Sequence, residues 1–377
     1  MTGPALLDRA GGWRDGDPVG ARRFLEVGAQ DLERGGHLPA VRVAYETWGT
    51  PRVEGGEVTN AVLVLHALTG DSHVAGPAGP GHPTAGWWDP LIGPEALDPD
   101  RWWVVAPNVL GGCQGTTGPG SPAPDGRAWG GRWPALTVRD QVETERRVAD
   151  LLGVRRWALV VGGSMGGYRG LEWAVTHPDR VARLAAIATT AAASADQIGV
   201  QSAQLLAVTS DPGWQGGDYD RDTPGPRTGL GIARRMAHLT YRSAYELETR
   251  FGRQPQDGED PLAGGRFAVQ SYLDHQADKL ARRFDAGSYV TLTEAMNTHD
   301  LGRGRGGVEA ALGRVRARTA VVAVDSDRLY PPEQQRRIAA GIPAALPLTV
   351  VASPYGHDGF LLETEAVAGA LRALLAT

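Results

Sequence analysis

The chain predicts an α/β fold, a doubly wound and mostly parallel sheet with a helical segment inserted into it. Two observations carry this: short apolar runs alternate with helical patterns along most of the chain, and one long stretch, 193–307, has helical spacing without strand signal. Ala61-Val62-Leu63-Val64-Leu65, Trp102-Trp103-Val104-Val105-Ala106, Trp157-Ala158-Leu159-Val160-Val161 and Ala185-Ala186-Ile187-Ala188 read as strands, followed much later by Ala320-Val321-Val322-Ala323-Val324 and Leu348-Thr349-Val350-Val351-Ala352. All are short, rich in β-formers and bounded by turn residues, as strands buried on both faces of a parallel sheet are. Helices are expected at 139–152, 168–175, 333–340 and 364–375.

Within 193–307 the segments GLGIARRMAHLTYRSAYELETRF and DPLAGGRFAVQSYLDHQADKLARRFD are helical in spacing, and DPGWQGGDYDRDTPGPRTG is a Gly/Pro/Asp-rich joint. This reads as a helical lid, with 1–192 and 308–377 forming the catalytic core. The chain shows no internal repeat and no low-complexity tail.

Composition fits an ordinary soluble protein: 42% hydrophobic, 21% charged, net charge −5. The single cysteine, Cys113, excludes an intramolecular disulfide framework, fits a reducing compartment and reads as packing rather than chemistry. The opening MTGPALLDRAGGWRDGD lacks the apolar stretch of a signal peptide, and no run of about 18 apolar residues suggests a membrane span. A cytoplasmic location is therefore expected. Mild acidity without a Lys/Arg block argues against nucleic acid as a partner. Arg303 and Arg305, in GRGRGG, read as solvated or capping residues of a tight loop.

The most informative motif is Gly162-Gly163-Ser164-Met165-Gly166-Gly167, between an apolar run and a helical pattern. A serine hydroxyl is a poor nucleophile unless a strained strand-turn-helix elbow presents it, and glycines must flank it where a Cβ would collide with strand or helix. The same turn aims the Met165 N–H at a reacting carbonyl, half of an oxyanion hole. A base and its orienting acid should follow later strands. Asp325-Ser326-Asp327 comes after the run at 320–324, and Gly356-His357-Asp358 after that at 348–352, so the chain order is Ser, Asp, His, as in α/β-hydrolase folds.

Of nine histidines only His357 has both position and order. His66, in His66-Ala67-Leu68-Thr69-Gly70, belongs to a loop suited to the second half of the oxyanion hole. His177 precedes Pro178 at a helix end, and His238, His275 and His299 fall in the lid. Spacing leaves the acid open between Asp325 and Asp327, which would face opposite ways on a continued strand.

On these residues the chain resembles the homoserine O-acetyltransferase family, α/β-hydrolase-fold enzymes of methionine biosynthesis. The resemblance runs from YETWG at 45–49 to DGFLLETEAV near the end. It is carried by His66-Ala67-Leu68-Thr69-Gly70-Asp71, NVLGGCQGTTGP, GGSMGG, GLGIARRMAHLTYRS, SDRLYPP and YGHDGF. Departures are small: Thr116-Thr117 stands where Ser-Thr is commoner, and Trp133 replaces a more usual phenylalanine before Pro134.

The resemblance implies Ser164 as nucleophile, Asp327 as triad acid and His357 as base, with Leu68 and Met165 supplying the oxyanion-hole N–H groups. It further implies Arg234, Tyr241 and Asp358 as the residues that hold the amino acid. Homoserine carries a carboxylate and an ammonium, so an arginine fork and a carboxylate suit its two ends. Arg234 and Tyr241, seven apart, share one helix face, and Arg235 points elsewhere as a surface residue. The implied reaction moves acetyl from acetyl-CoA, a co-substrate, to the homoserine hydroxyl through an acetyl-Ser164 intermediate. No tightly bound cofactor or metal is expected, and the family suggests a homodimer built through the lid helices. Sister activities with succinyl-CoA, serine or deacetylcephalosporin, and an ordinary esterase, share the same triad.

Overall fold

Strands that are apolar at every position need cover on both faces, and the chain supplies it. The computed structural model describes residues 9–377; residues 1–8, part of the opening read above for a signal peptide, lie outside the described residues. The sheet comprises β1 (Arg23–Asp31), β2 (His37–Trp48), β3 (Ala61–Leu65), β4 (Trp103–Pro107), β5 (Leu159–Gly163), β6 (Arg183–Ile187), β7 (Arg318–Val324) and β8 (Thr349–Val351). Their spatial order is β1-β2-β4-β3-β5-β6-β7-β8. From β4 to β8 every pairing is parallel, and β1–β2 and β2–β4 are antiparallel.

The six strands expected from apolar runs are present within one or two residues. The antiparallel pair was not anticipated: RFLEVGAQD is largely exposed along β1, and β2 carries Pro39, Arg42 and Glu46 among its apolar residues, so neither shows the continuous apolar run of a doubly covered strand.

Alternate strand residues feed two cores. Leu63, Leu65, Val160, Leu184 and Val321 face α1 (Val138–Leu151) and α2 (Met165–Thr176) through Val142, Leu171 and Trp173. Val62, Val64, Val161, Ile187 and Val322 face the opposite side. Helix α1 begins at a capping box: the Thr137 hydroxyl accepts the Asp140 N–H, and the Asp140 carboxylate accepts the Thr137 N–H at 2.9 Å. The other carboxylate oxygen takes the Glu33 N–H at 2.7 Å, which ties the β1–β2 turn to the helix.

Between β6 and β7 run α3 (Ala195–Thr209), α4 (Arg227–Tyr241), α5 (Ala244–Phe251), α6 (Ala268–Ala281), α7 (Ala286–Asn297) and the short α8 (Val308–Leu312). A third core joins them to the sheet's carboxyl edge, where Val208, Leu230, Ala233 and Tyr289 meet Leu68, Met165, Tyr168 and Tyr330. The chain then forms α9 (Pro332–Gly341), α10 (Gly359–Leu362) and α11 (Thr364–Leu375), the last covering the second face with Val367, Leu371 and Leu374.

Arg305 bears out the capping half of the sequence reading, donating to the Leu301 carbonyl at 3.0 Å, and departs from the solvated half. Its side chain is only 11% exposed and its guanidinium clasps the buried Glu172 of α2, with one contact at 2.9 Å, because the loop after α7 folds back on that helix. Arg303 pairs with Glu33 at 2.8 Å. Cys113 is buried, its thiol pushed up to about 12 chiefly by desolvation, in keeping with packing.

The deepest ion pair braces α2. Arg169, fully buried, donates to Glu145 of α1 at 2.6 Å and to the His66 carbonyl at 2.5 Å, and the Trp173 indole donates to the second Glu145 oxygen at 2.8 Å. Arg169→Met strands the Glu145 carboxylate and is expected to lower stability by about 3–5 kcal/mol, read as a drop in urea midpoint. Adding Glu145→Leu should restore part of it. An equal loss in both variants would rule out the stranded charge as the cause.

Candidate active site

Ser164 ends β5 and begins α2 with φ 56° and ψ −125°, backbone that an L-residue adopts only when its surroundings over-determine it. Its N–H donates to the Ile187 carbonyl at 3.0 Å, and its own carbonyl accepts the Gly167 N–H at 2.9 Å and the Thr189 hydroxyl at 2.8 Å. The flanking glycines permit a close crossing. A Cβ on Gly162 would lie 2.4 Å from the Gly166 carbonyl, and one on Gly166 would lie 2.0 Å from the Leu65 oxygen. As the first residue of α2, Met165 has an N–H with no intrahelical acceptor.

The loop after β3 holds Leu68 beside this turn, and arginines pin it. Arg169 takes the His66 carbonyl, Arg283 the Thr69 carbonyl, and Arg234 reaches the Thr69 hydroxyl at a long 3.5 Å. His66 is itself a loop fastener. Its Nε2 accepts the Val109 N–H at 3.0 Å, its Nδ1 faces the Ala67 carbonyl at 2.8 Å, and burial reinforced by Arg169 drives its pKa well down. A neutral ring with both nitrogens engaged is a poor candidate for a base.

Asp327 and His357 meet on the loops after β7 and β8. His357 Nδ1 donates to Asp327 Oδ2 at 2.7 Å, and Asp327 Oδ1 accepts the N–H groups of Leu329 and Tyr330 at 2.9 Å each. All three side chains of the Ser164, Asp327 and His357 set are buried. The aspartate left open by spacing separates cleanly here, because Asp325 turns away to accept the Ser353 N–H at 3.0 Å. Phe360 packs against the elbow at Gly163 and holds its ring 5.2 Å from that of His357.

Arg234 and Tyr241 share a face of α4, as expected, with the guanidinium carbon 5.5 Å from the phenol ring centre. Arg234 makes no ion pair among the described residues, and its buried Nε has no hydrogen-bond partner. Arg235 points the other way and pairs with Asp274 of α6. Asp358 lies next to His357, and burial pushes its carboxyl up against the opposing pull of Arg242, His357 and Arg234.

Two neighbours escaped the sequence reading. Arg242, the residue capping α4, holds Asp358 at 3.1 Å. The Tyr330 ring lies 4.9 Å from His357, and its hydroxyl is 3.2 Å from that of Tyr168. Tyr330 lies three residues after Asp327 in SDRLYPP, but nothing in the spacing distinguishes it from a core tyrosine.

A cavity of about 300 Å³ opens beside the loop after β3, lined by Ala67, Thr69, Arg234, Lys279, Arg283 and Leu361 among others. Elsewhere, Glu46, His73 and His82 bring possible ligand atoms within 4.8 Å of one another. Those atoms are already committed: His73 and the Ser72 hydroxyl each donate to Glu46 at 2.8 Å, and His82 Nε2 accepts the Ala21 N–H at 2.9 Å. They read as a hydrogen-bonded tie between the β2 end and the N-terminal segment.

Sheet order and elbow together define an α/β-hydrolase-fold enzyme, and the alpha/beta hydrolase fold family matches residues 60–364. The homoserine O-acetyltransferase of Thermobifida fusca (strain YX) is 62% identical over 373 residues, 98% of either chain. That of Mycobacterium tuberculosis (strain CDC 1551 / Oshkosh) is 54% identical over 355 residues, 93% of this chain and 92% of the other. The chain belongs to the homoserine O-acetyltransferase family, and is thus an acyltransferase. Two solved structures share its fold at 24% identity. The homoserine O-acetyltransferase from Bacillus anthracis has a TM-score of 0.86, covering 94% of this chain and 97% of that one. Esterase E22 has a TM-score of 0.84, covering 94% and 99%.

The elbow tolerates no side chain at its crossing point. Gly166→Ala is expected to exceed the roughly 1–3 kcal/mol of ordinary overpacking, because the Cβ would meet a backbone oxygen rather than a movable side chain. A thermal melt superimposable on that of the parent would overturn this.

Proposed function

We propose that the enzyme transfers acetyl from acetyl-CoA to the side-chain hydroxyl of L-homoserine, giving O-acetyl-L-homoserine for methionine synthesis. The observation that carries the choice of acceptor is that an arginine with no ion pair among the described residues, Arg234, lies within electrostatic range of the Asp358 carboxylate beside His357. A zwitterion needs both, and an esterase acting on neutral esters needs neither.

In this reading the Asp327 carboxylate fixes His357 through its Nδ1–H, which leaves the Nε2 lone pair to serve as base for Ser164. His357 takes the hydroxyl proton as Ser164 attacks the thioester carbonyl, and the oxyanion rests on the Leu68 and Met165 N–H groups. Coenzyme A departs with the proton returned by His357, leaving acetyl-Ser164. Homoserine then enters with its carboxylate on Arg234 and Tyr241 and its ammonium on Asp358. His357 deprotonates its hydroxyl, which attacks the acetyl group and frees the serine. Water at about 55 M competes for the acyl-enzyme, so burial of the triad under the lid helices and a high effective molarity for homoserine are both required. This chemistry calls for no resident metal or cofactor.

Free coenzyme A should be released quickly only when acetyl-CoA and homoserine are both present, and Ser164→Ala should abolish release while leaving the circular dichroism spectrum unchanged. Asp327→Asn should lower kcat by about 10⁴-fold. Release without an acceptor would mean hydrolysis, and a preference for succinyl-CoA, serine or deacetylcephalosporin would assign a sister activity. Homoserine binding should also weaken in acid. Asp358 must be ionised to hold the ammonium, and burial raises its pKa, so KM for homoserine should climb at a pH above the roughly 3.9 of a free aspartate.

The homodimer is part of the same proposal. Ile198 and Leu206 on α3, Ile232 and Leu239 on α4, and Tyr245 on α5 are exposed, Leu206 by 65% and Tyr245 by 70%, which gives the lid helices apolar residues to share with a second copy. Light scattering should give twice the chain mass, falling toward the monomer in Leu206→Lys/Tyr245→Lys. A monomeric parent would refute the assembly.

A further inference from the structure

The cavity beside the loop after β3 does not end there. Thr84, Lys279 and Arg283 line both it and a second groove of about 610 Å³, which runs outward between the end of α6 and the N-terminal segment. The second groove adds Arg9 and Arg282, so it holds four cations against one carboxylate, Asp17. The inner cavity contains Arg234, Lys279 and Arg283 and no carboxylate at all. In a chain of net charge −5 this is a concentrated positive path leading away from the site of acyl transfer.

These cations are not all structural. Arg283 is held by the Thr69 carbonyl and by Asp71 at 3.5 Å, and Arg9 by Asp17 at 2.9 Å. Lys279 and Arg282, both exposed, form no ion pair among the described residues. Lys279 in the last turn of α6 and Arg282 just beyond its end complement the helix dipole. That does not explain why Arg9, from a distant part of the chain, faces the same groove.

We propose that Lys279 and Arg282, assisted by Arg9, bind the phosphate groups of the acyl donor, so that the groove takes a thioester with an anionic nucleotide tail. The inference rests on the acyl-CoA reading above and assigns the donor's tail to residues which that reading leaves unused. The tail lies in the outer groove, the uncharged pantetheine arm passes Thr84 into the inner cavity, and the thioester reaches the oxyanion loop. The amino acid, held by Arg234 and Asp358, is recognised by other residues. Donor affinity and acceptor affinity should therefore be separable by mutation.

The test compares acetyl-CoA with acetyl-pantetheine, which has the same thioester and no phosphates. In the parent enzyme kcat/KM should favour acetyl-CoA strongly. In Lys279→Gln/Arg282→Gln that preference should shrink by about tenfold or more, with the loss in KM for acetyl-CoA and with KM for homoserine held. The ratio is the readout because a partly misfolded variant loses both donors together. The parent's preference should also weaken with added salt. An unchanged ratio and unchanged acetyl-CoA KM would overturn the groove while leaving the acetyltransferase reading intact. If the parent turns over neither donor with homoserine, that reading fails instead. Calorimetric titration of coenzyme A into parent and double variant then decides the groove, equal affinities refuting it.

Discussion

The strained turn at Ser164 is the constraint on which the rest of this structure depends. Positive φ at a residue with a side chain is unfavourable, and it persists here because the N–H and carbonyl of Ser164 are engaged by β6 and by its own helix. The helix must also approach the β3 end so closely that Gly166 has no room for a Cβ. Arg169 adds a second brace. One guanidinium links α2 to Glu145 of α1 and to the loop that carries Leu68, so the two halves of the proposed oxyanion hole are fixed to the same buried charge. Electrostatic stabilisation of a transition state requires donors that do not reorganise, and a buried ion pair supplies that rigidity.

Around this fixed point the polar groups divide into committed and uncommitted ones. His66, Asp325 and the Glu46, His73 and His82 group have their hydrogen bonds filled by neighbouring backbone and side chains. Arg234, Lys279 and Arg282 form no ion pair among the described residues, and they line two cavities whose walls share Thr84, Lys279 and Arg283. Of these, Arg234 has a buried guanidinium nitrogen and no counter-ion, an otherwise unfavourable state that is the expected signature of ligand charge. The fold neighbours include a solved esterase, so the α/β-hydrolase frame does not itself choose between transfer and hydrolysis.

How much was legible in the chain follows from the range of each interaction. The core strands were visible because burial on both faces demands continuous apolar runs, and the elbow was visible because its glycines are required by local geometry. β1 and β2 were not, since an exposed edge strand and a neighbour interrupted by Pro39, Arg42 and Glu46 leave no such run. Arg305 was read only as a solvated or capping loop residue because its ion-pair partner Glu172 lies far away in sequence, on α2. Tyr330 and Arg242 sit beside the site only because loops from β7 and β8 converge with the end of α4.

By itself the sequence determined the strand-turn-helix around Ser164 and the family, both of which are written in short blocks of contiguous residues. Tertiary structure decided which aspartate faces His357, that Asp358 shares Arg242, and that cations from the N-terminal segment and α6 line one groove. The physical reason is that local patterns report backbone requirements within a few residues. Charge pairing and cavity lining are set by which distant surfaces the folded sheet and helices bring within a few ångströms.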